Sequence, residues 1–166
     1  MSGRRIAAPR DETVRPTSDR AREAIFNMLY SLGLPRGCRV VDLYAGSGAL
    51  GIEALSRGAE EAYFVDKSAE ACRTIKDNMD GLAIHGTVIQ GDALQKLESL
   101  DVDLVLADPP YGFDDWNRLL AAAGKAFVVA ESESALEALE GWEVVRSRKY
   151  GRATVTILRP TQRDNG

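Results

Sequence analysis

Asp42-Leu43-Tyr44-Ala45-Gly46-Ser47-Gly48-Ala49-Leu50-Gly51 is the stretch on which the fold turns. An apolar, β-branched run at 38–44 (CRVVDLY) leads into it, and a helical pattern at about 49–57 leads out. A strand, a glycine-rich turn and a helix in that order form the first half of a ligand-binding βαβ unit. Gly46-x-Gly48-x-x-Gly51 matches the dinucleotide fingerprint, whose glycines allow a tight turn and a close approach of backbone to ligand.

Downstream the pattern repeats. Strand-like runs fall at 61–66, 86–90, 102–107 and 126–130, and helical stretches at about 68–82, 116–123 and 133–140. Strands alternating with helices predict right-handed crossovers and a doubly wound, mostly parallel α/β sheet. The end differs. Trp142–Arg148 and Arg152–Leu158 are alternating runs joined by Lys149-Tyr150-Gly151, which predicts an antiparallel C-terminal hairpin and a seven-stranded sheet. A dehydrogenase sheet lacks that hairpin.

Upstream, Met1–Arg15 is polar and irregular, with a short strand expected near Arg5–Ala8. Pro16-Thr17-Ser18-Asp19 is a helix-start signal. Ala21, Ile25, Met28, Leu29 and Leu32 then recur at helical spacing until Gly33 and Pro35 stop the helix. The expected organisation is a basic N-terminal segment and helix over 1–35, the main domain over 36–160, and a disordered tail at 161–166.

A length of 166 residues suits one domain, and 45% hydrophobic with 28% charged residues suits a soluble one. No apolar run approaches the roughly 20 residues needed to span a bilayer, and the N-terminus lacks a signal-peptide apolar region. A cytoplasmic location is expected, with a monomer as the default. Cys38 and Cys72 have no metal-ligand spacing and read as buried free thiols. His85, the single histidine, argues against histidine-based metal sites and triads, so no metal is expected.

The net charge of −4 is unevenly divided. Residues 1–39 hold eight basic and four acidic side chains, and residues 40–145 hold seven and twenty. From Arg146 to Arg163 there are six basic residues and no acidic one. Attraction to phosphate depends on the local field rather than the total, so basic ends permit nucleic-acid binding.

Two ligands compete for the glycine turn. A dinucleotide would rest its pyrophosphate on the helix N-terminus. Asp42, four residues before Gly46, would repel a pyrophosphate but could hold the ammonium of an amino-acid moiety. S-adenosylmethionine carries that ammonium and no phosphate, so the placement favours the methyl donor. Asp66 ends the second strand, where a carboxylate can accept both ribose hydroxyls. Asp92 follows the third strand, placed for an adenine amino group with Ala93 beside it; strand-end helix capping is the bland reading of both acids. Tyr44, Ala45, Gly46, Ser47, Gly48, Lys67 and Asp108 complete the expected cofactor shell.

Asp108-Pro109-Pro110-Tyr111 closes the fourth strand. Two prolines fix both φ angles, leaving the Asp108 carboxylate and the Pro109 carbonyl as rigid acceptors. Acceptors beside the aromatic ring of Tyr111 suit a planar amine, whose lone pair would be aligned with a sulfonium methyl. Neither a nucleophilic cysteine nor a metal is needed.

These residues resemble the seven-stranded, Rossmann-like methyltransferases that act on amines, whose corresponding motif reads Asn or Asp, Pro, Pro, then Tyr or Phe. Over about residues 4–158 the likeness narrows. Arg15-Pro16-Thr17-Ser18-Asp19-Arg20 through Asn27, together with Asp42 through Ala59, is similar to the bacterial family that makes N2-methylguanosine in 16S rRNA. The resemblance implies transfer from S-adenosylmethionine to a guanine N2 of the 30S subunit, with 16S rRNA as partner. It also implies that Arg15, Thr17, Asp19 and Arg20 close the cleft or meet phosphate. Asp66 stands where the family more often has Glu. A DNA adenine-N6 methyltransferase stays open, because the motif serves both amines, although 166 residues leave no room for a separate target-recognition region. A non-catalytic assembly factor and a dinucleotide oxidoreductase are the remaining alternatives.

Overall fold

Strands that are apolar on both faces must be covered on both sides, and the arrangement of the helices follows from that requirement. The structure, a computed structural model, describes residues 19–137 and 139–161. Its elements are α1 (Asp19–Tyr30), β1 (Arg39–Leu43), α2 (Ala49–Ser56), β2 (Glu61–Asp66), α3 (Ala69–Leu82), β3 (Thr87–Gln90), α4 (Ala93–Glu98), β4 (Leu104–Ala107), α5 (Trp116–Ala123), β5 (Phe127–Ser132), β6 (Trp142–Tyr150) and β7 (Ala153–Pro160). The sheet order is β3-β2-β1-β4-β5-β7-β6. The first five strands are parallel, and β7 is antiparallel to both β5 and β6. This is the predicted seven-stranded sheet with its terminal hairpin.

The period-2 alternation of the strands separates two faces. Val41, Leu43, Val105 and Val128 point to the side covered by Leu94 and Leu97 of α4 and Leu119 and Leu120 of α5. Val40, Leu104, Leu106 and Val129 point to the side covered by Ile25, Phe26 and Leu29 of α1 and Leu50 and Ala54 of α2. A third cluster joins Phe64 to Ile52, Ile75 and Met79 under α2 and α3. The strand order reverses between β1 and β4, the switch point at whose C-terminal edge open α/β sheets bind ligands.

Three local expectations are corrected. The helix expected at 133–140 does not form. Ser132 Oγ donates to the Ser134 carbonyl at 2.6 Å, a local turn that competes with helix initiation, and Glu133 is engaged by Gly112. Leu136 and Leu139 reach the core from irregular chain instead. Conversely α4, capped by Asp92, had no periodic signature because six residues make fewer than two turns. The hairpin turn is Gly151-Arg152 rather than 149–151: Tyr150 already pairs with Ala153, and Gly151 takes the positive φ (59°) that a two-residue turn requires.

The start signal at Pro16–Ser18, the strand near Arg5–Ala8 and most of the tail lie outside the described residues. Cys38 and Cys72 are free and buried, and burial pushes both thiols up. His85 is exposed. Among the described residues no helix is long and apolar enough to cross a membrane, and no cluster of three His, Cys, Asp or Glu could hold a metal.

Candidate active site

Four strands carry an acid at or beside the C-terminal end. Asp42 is next to last in β1, Asp66 closes β2, Asp108 follows β4, and Glu131 is next to last in β5. Ala107 pairs with Ala130, so Asp108 and Glu131 come level at the sheet edge. Asp42 is buried, and burial holds its carboxyl well above the usual carboxylate value of 3.8. The Gly51 N–H opposes that shift by donating to Asp42 Oδ2 at 2.9 Å, while the charges of Asp108, Asp66 and Glu131 add to it.

The glycine turn is built from left-handed backbone: Tyr44 (φ 56°), Gly46 (φ 58°) and Gly48 (φ 81°). A left-handed tyrosine costs about 1–2 kcal/mol, and packing offsets it. The Tyr44 ring meets Phe113 edge-on at 5.7 Å, and Phe113 meets Trp116 edge-on at 4.9 Å. These rings tie the loop after β1 to the loop after β4. Burial, then the charges of Asp92 and Asp115, push the Tyr44 hydroxyl up to about 12, so it stays neutral. Gly51 has a packing reason: a Cβ there would fall 2.4 Å from Phe64 Cε2.

Asp66 anchors the turn from the other side. Its Oδ2 accepts from Gly46 N and its Oδ1 from Ser68 N, both at 2.9 Å, and each oxygen retains a further lone pair. Lys67 beside it is exposed, and its carbonyl accepts from Gln90. Ala45 donates to the Val65 carbonyl and accepts from Gly48, and the Ser47 carbonyl accepts from Asn78. Asp92 caps α4 by accepting from Gln95 N at 2.9 Å, and Ala93 is buried beneath it. The capping reading of Asp92 is thus realised, and the carboxylate remains exposed at the cleft edge.

Beyond the acids lies a cavity of ≈ 400 Å³. Pro109 to Phe113 form one wall, and Glu131 to Ser134 with Leu136 form the other. Phe113 N donates to the Pro110 carbonyl, closing the turn, and Gly112 N donates to Glu133 Oε1 at 2.8 Å, tying the walls together. Tyr111 is 78% exposed and stands at the mouth. The structure therefore gathers Asp42, the glycine turn, Asp66, Asp92 and Asp108–Tyr111 at one edge. It does not gather Asp19, which pairs with Arg22 on its own helix, or Arg20, which lines a separate groove against β6. Arg15 and Thr17 lie outside the described residues.

Glu131, Phe113 and Trp116 escaped the sequence reading. Glu131 had a signal: like Asp42, Asp66 and Asp108, it directly follows an apolar strand run. Phe113 and Trp116 had none, because their roles depend on the loops after β1 and β4 meeting in space.

Known proteins resemble the chain along nearly its whole length. It is 36% identical to "Putative rRNA methyltransferase YlbH" of Bacillus subtilis (strain 168), across 95% of this chain and 94% of that one. It is 30% identical to "Ribosomal RNA small subunit methyltransferase D" of Escherichia coli (strain K12), across 93% of this chain and 84% of that one. The solved structure described as "Putative methyltransferase yhhF from Escherichia coli" superposes with a TM-score of 0.81 at 26% identity, across 97% of this chain and 94% of that one. The profile of the family described as "Conserved hypothetical protein 95" matches residues 1–159, and the chain belongs to that family.

Proposed function

We propose that the chain transfers the methyl group of S-adenosylmethionine to the exocyclic N2 amine of a guanine in 16S rRNA of the small ribosomal subunit. The observation that carries the reading is the placement of Asp108-Pro109-Pro110. It stands between a cluster of strand-end carboxylates and a cavity of ≈ 400 Å³ with an exposed tyrosine at its mouth.

The residues fit the donor. The charges of Asp108, Asp66 and Glu131 raise the proton affinity of the buried Asp42, so the site favours a cationic ligand and disfavours a pyrophosphate. S-adenosylmethionine, with its ammonium and sulfonium, has that sign. Asp42 lies beneath the turn and acts through its field and its hold on Gly51. Backbone of Gly46 to Gly48 approaches the amino-acid moiety, Asp66 accepts from the ribose hydroxyls, and Asp92 with Ala93 meets the adenine edge. The bound donor supplies an electrophilic methyl.

Asp108 and the Pro109 carbonyl accept the two N–H groups of the target amine, Tyr111 stacks on the base, and the nitrogen lone pair faces the donor. Positioning then provides much of the acceleration. Ribosomal RNA as the substrate is supported by the names of the relatives in Bacillus subtilis and Escherichia coli. Guanine N2 is supported by the resemblance of the Arg15–Asn27 and Asp42–Ala59 blocks.

The test is tritiated donor with 30S subunits from cells lacking the modification, followed by nucleoside mass spectrometry. N2-methylguanosine in 16S rRNA is the expected product. Label on duplex DNA with none on 30S subunits would refute the proposal.

A further inference from the structure

A second concave surface lies on the α1 side of the sheet, a groove of ≈ 440 Å³ between α1 and the edge strand β6. Arg20 lines it from α1, with Glu23 and Asn27 on the same polar stripe, while Ile25 and Leu29 on the opposite stripe enter the core. Arg146, Arg148 and Tyr150 line it from β6. Their position depends on the register shift between Val144 and Arg146. Val145 already faces the α1 core, so unbroken alternation would turn residues 147 and 149 to the groove; the extra residue brings 146, 148 and 150 there instead.

Arg22, Arg39, Arg57, Arg118 and Arg159 are all held in ion pairs. Among the described residues no carboxylate pairs with Arg20, Arg146 or Arg148, although Glu23 lines the same groove. The Tyr150 hydroxyl is buried with no hydrogen-bond partner among the described residues. Among the described residues, three guanidiniums without a carboxylate partner, one acid and a hydroxyl with no hydrogen-bond partner make a site for an anion with several oxygens. Arginine's fork suits phosphate in particular.

The groove is also level with the pocket. Glu131 pairs with Val155, and Val155 pairs with Arg148, so pocket and groove share a register row two strands apart, about 10 Å. Arg22 meets Glu53 and Phe26 meets Arg57, so α1 runs alongside α2, and its Arg20 end lies toward the ligand edge.

We infer that this groove holds the sugar–phosphate backbone of the RNA strand whose base enters the pocket beside Asp108. The inference rests on the chain being an RNA methyltransferase, and the experiment separates the two. Filter binding of a 16S rRNA transcript is measured across a series of KCl concentrations, with S-adenosylhomocysteine calorimetry on every variant. Each phosphate contact to single-stranded RNA contributes about 0.7 to the salt slope, or about fivefold in affinity at ~0.1 M salt. Arg146→Ala with Arg148→Ala therefore lowers the slope by about 1.4 and weakens binding about 25-fold. S-adenosylhomocysteine affinity stays at the wild-type value, which also reports that the double variant is folded. Glu23→Gln tightens RNA binding, and Lys125→Ala, at the opposite edge of the sheet before β5, changes neither quantity. A double variant that keeps the wild-type slope overturns the groove. So does polyglutamate competing as well as RNA at equal charge. Wild-type protein that binds S-adenosylhomocysteine but no rRNA overturns instead the RNA reading on which the groove rests.

Discussion

Gly51→Ala tests whether the third glycine of the turn serves packing rather than ligand approach. Gly51 lies within α2, where alanine is favoured over glycine by about 1 kcal/mol. Propensity alone therefore predicts a more stable protein. Against it, the new Cβ would sit 2.4 Å from Phe64 Cε2 and 2.9 Å from Phe64 Cζ. The ring cannot swing away. Phe64 is fully buried, and Cβ atoms built at Gly48 and Gly86 would also come within 3.4 Å and 2.7 Å of it, so three glycines enclose it. Overpacking costs about 1–3 kcal/mol, and an enclosed ring argues for the upper end. The net expectation is a loss of about 2 kcal/mol, a fall in Tm of about 4–8 °C for a chain of this size. Gly81→Ala is the control. It is also helical, exposed and open at its Cβ, so it should gain about 0.5–1 kcal/mol. Phe64→Leu combined with Gly51→Ala should be less damaging than the sum of the two, a coupling readable in a double-mutant cycle by denaturant unfolding. A Gly51→Ala protein as stable as wild type, or additive behaviour in the cycle, would refute the reasoning.

Asp42→Asn should flatten the dependence of stability on pH. The folded pKa is raised, so the folded state binds more protons than the unfolded state between the ordinary value of 3.8 and the higher folded value. Wild-type stability therefore falls as pH rises through that window, and calorimetric unfolding of ligand-free Asp42→Asn should lose that slope while S-adenosylhomocysteine binding weakens. Asp66→Ala leaves the N–H groups of Gly46 and Ser68 without their acceptor, at about 1–3 kcal/mol for the buried Gly46 donor and less for the half-buried Ser68 donor. Isothermal titration should show cofactor affinity lost, with Asp66→Asn intermediate because it retains one acceptor oxygen. Asp108→Ala should reduce single-turnover methyl transfer to 30S subunits by at least about 10²-fold, the scale of a misplaced reacting group. Methylation persisting in cells that carry only this variant would contradict the positioning role.

The sheet was legible because its signals are local. Four of the five parallel strands are apolar runs with an acid at or beside the C-terminal end, and the glycine turn announces a ligand at the switch point. What escaped reading depends on contacts between distant segments. α4 is stabilised by the Asp92 cap and by burial of Leu94 and Leu97, and neither needs a repeating pattern. The 133–140 stretch has helical spacing in Leu136 and Leu139, but the Ser132 turn and the Gly112–Glu133 bond oppose the helix at its start. The β6 irregularity is invisible in an alternating run, yet it decides which face Arg146 and Arg148 occupy. In the candidate site, the acids were readable at strand ends, whereas the Tyr44–Phe113–Trp116 stack needed two loops to meet.

The charge division along the chain has a spatial counterpart with its own consequence. α1 precedes the sheet and the hairpin ends it, yet both pack on one face, so Arg20 of α1 and Arg146 and Arg148 of the hairpin meet beside an acidic pocket. About 10 Å separates the Glu131 and Arg148 positions, slightly more than the screening length of about 8 Å at physiological ionic strength. Under those conditions salt screens the exposed carboxylates at that distance, so the basic side chains of the groove outweigh the net charge of −4 in their effect on phosphate. At about 0.01 M salt the screening length grows to about 30 Å, and the acidic centre of the molecule then acts on the same phosphates. The plot of log affinity against log salt should therefore run straight near physiological salt and flatten toward low salt. A plot that keeps its full slope down to the lowest salt would show that pocket and groove do not share a field.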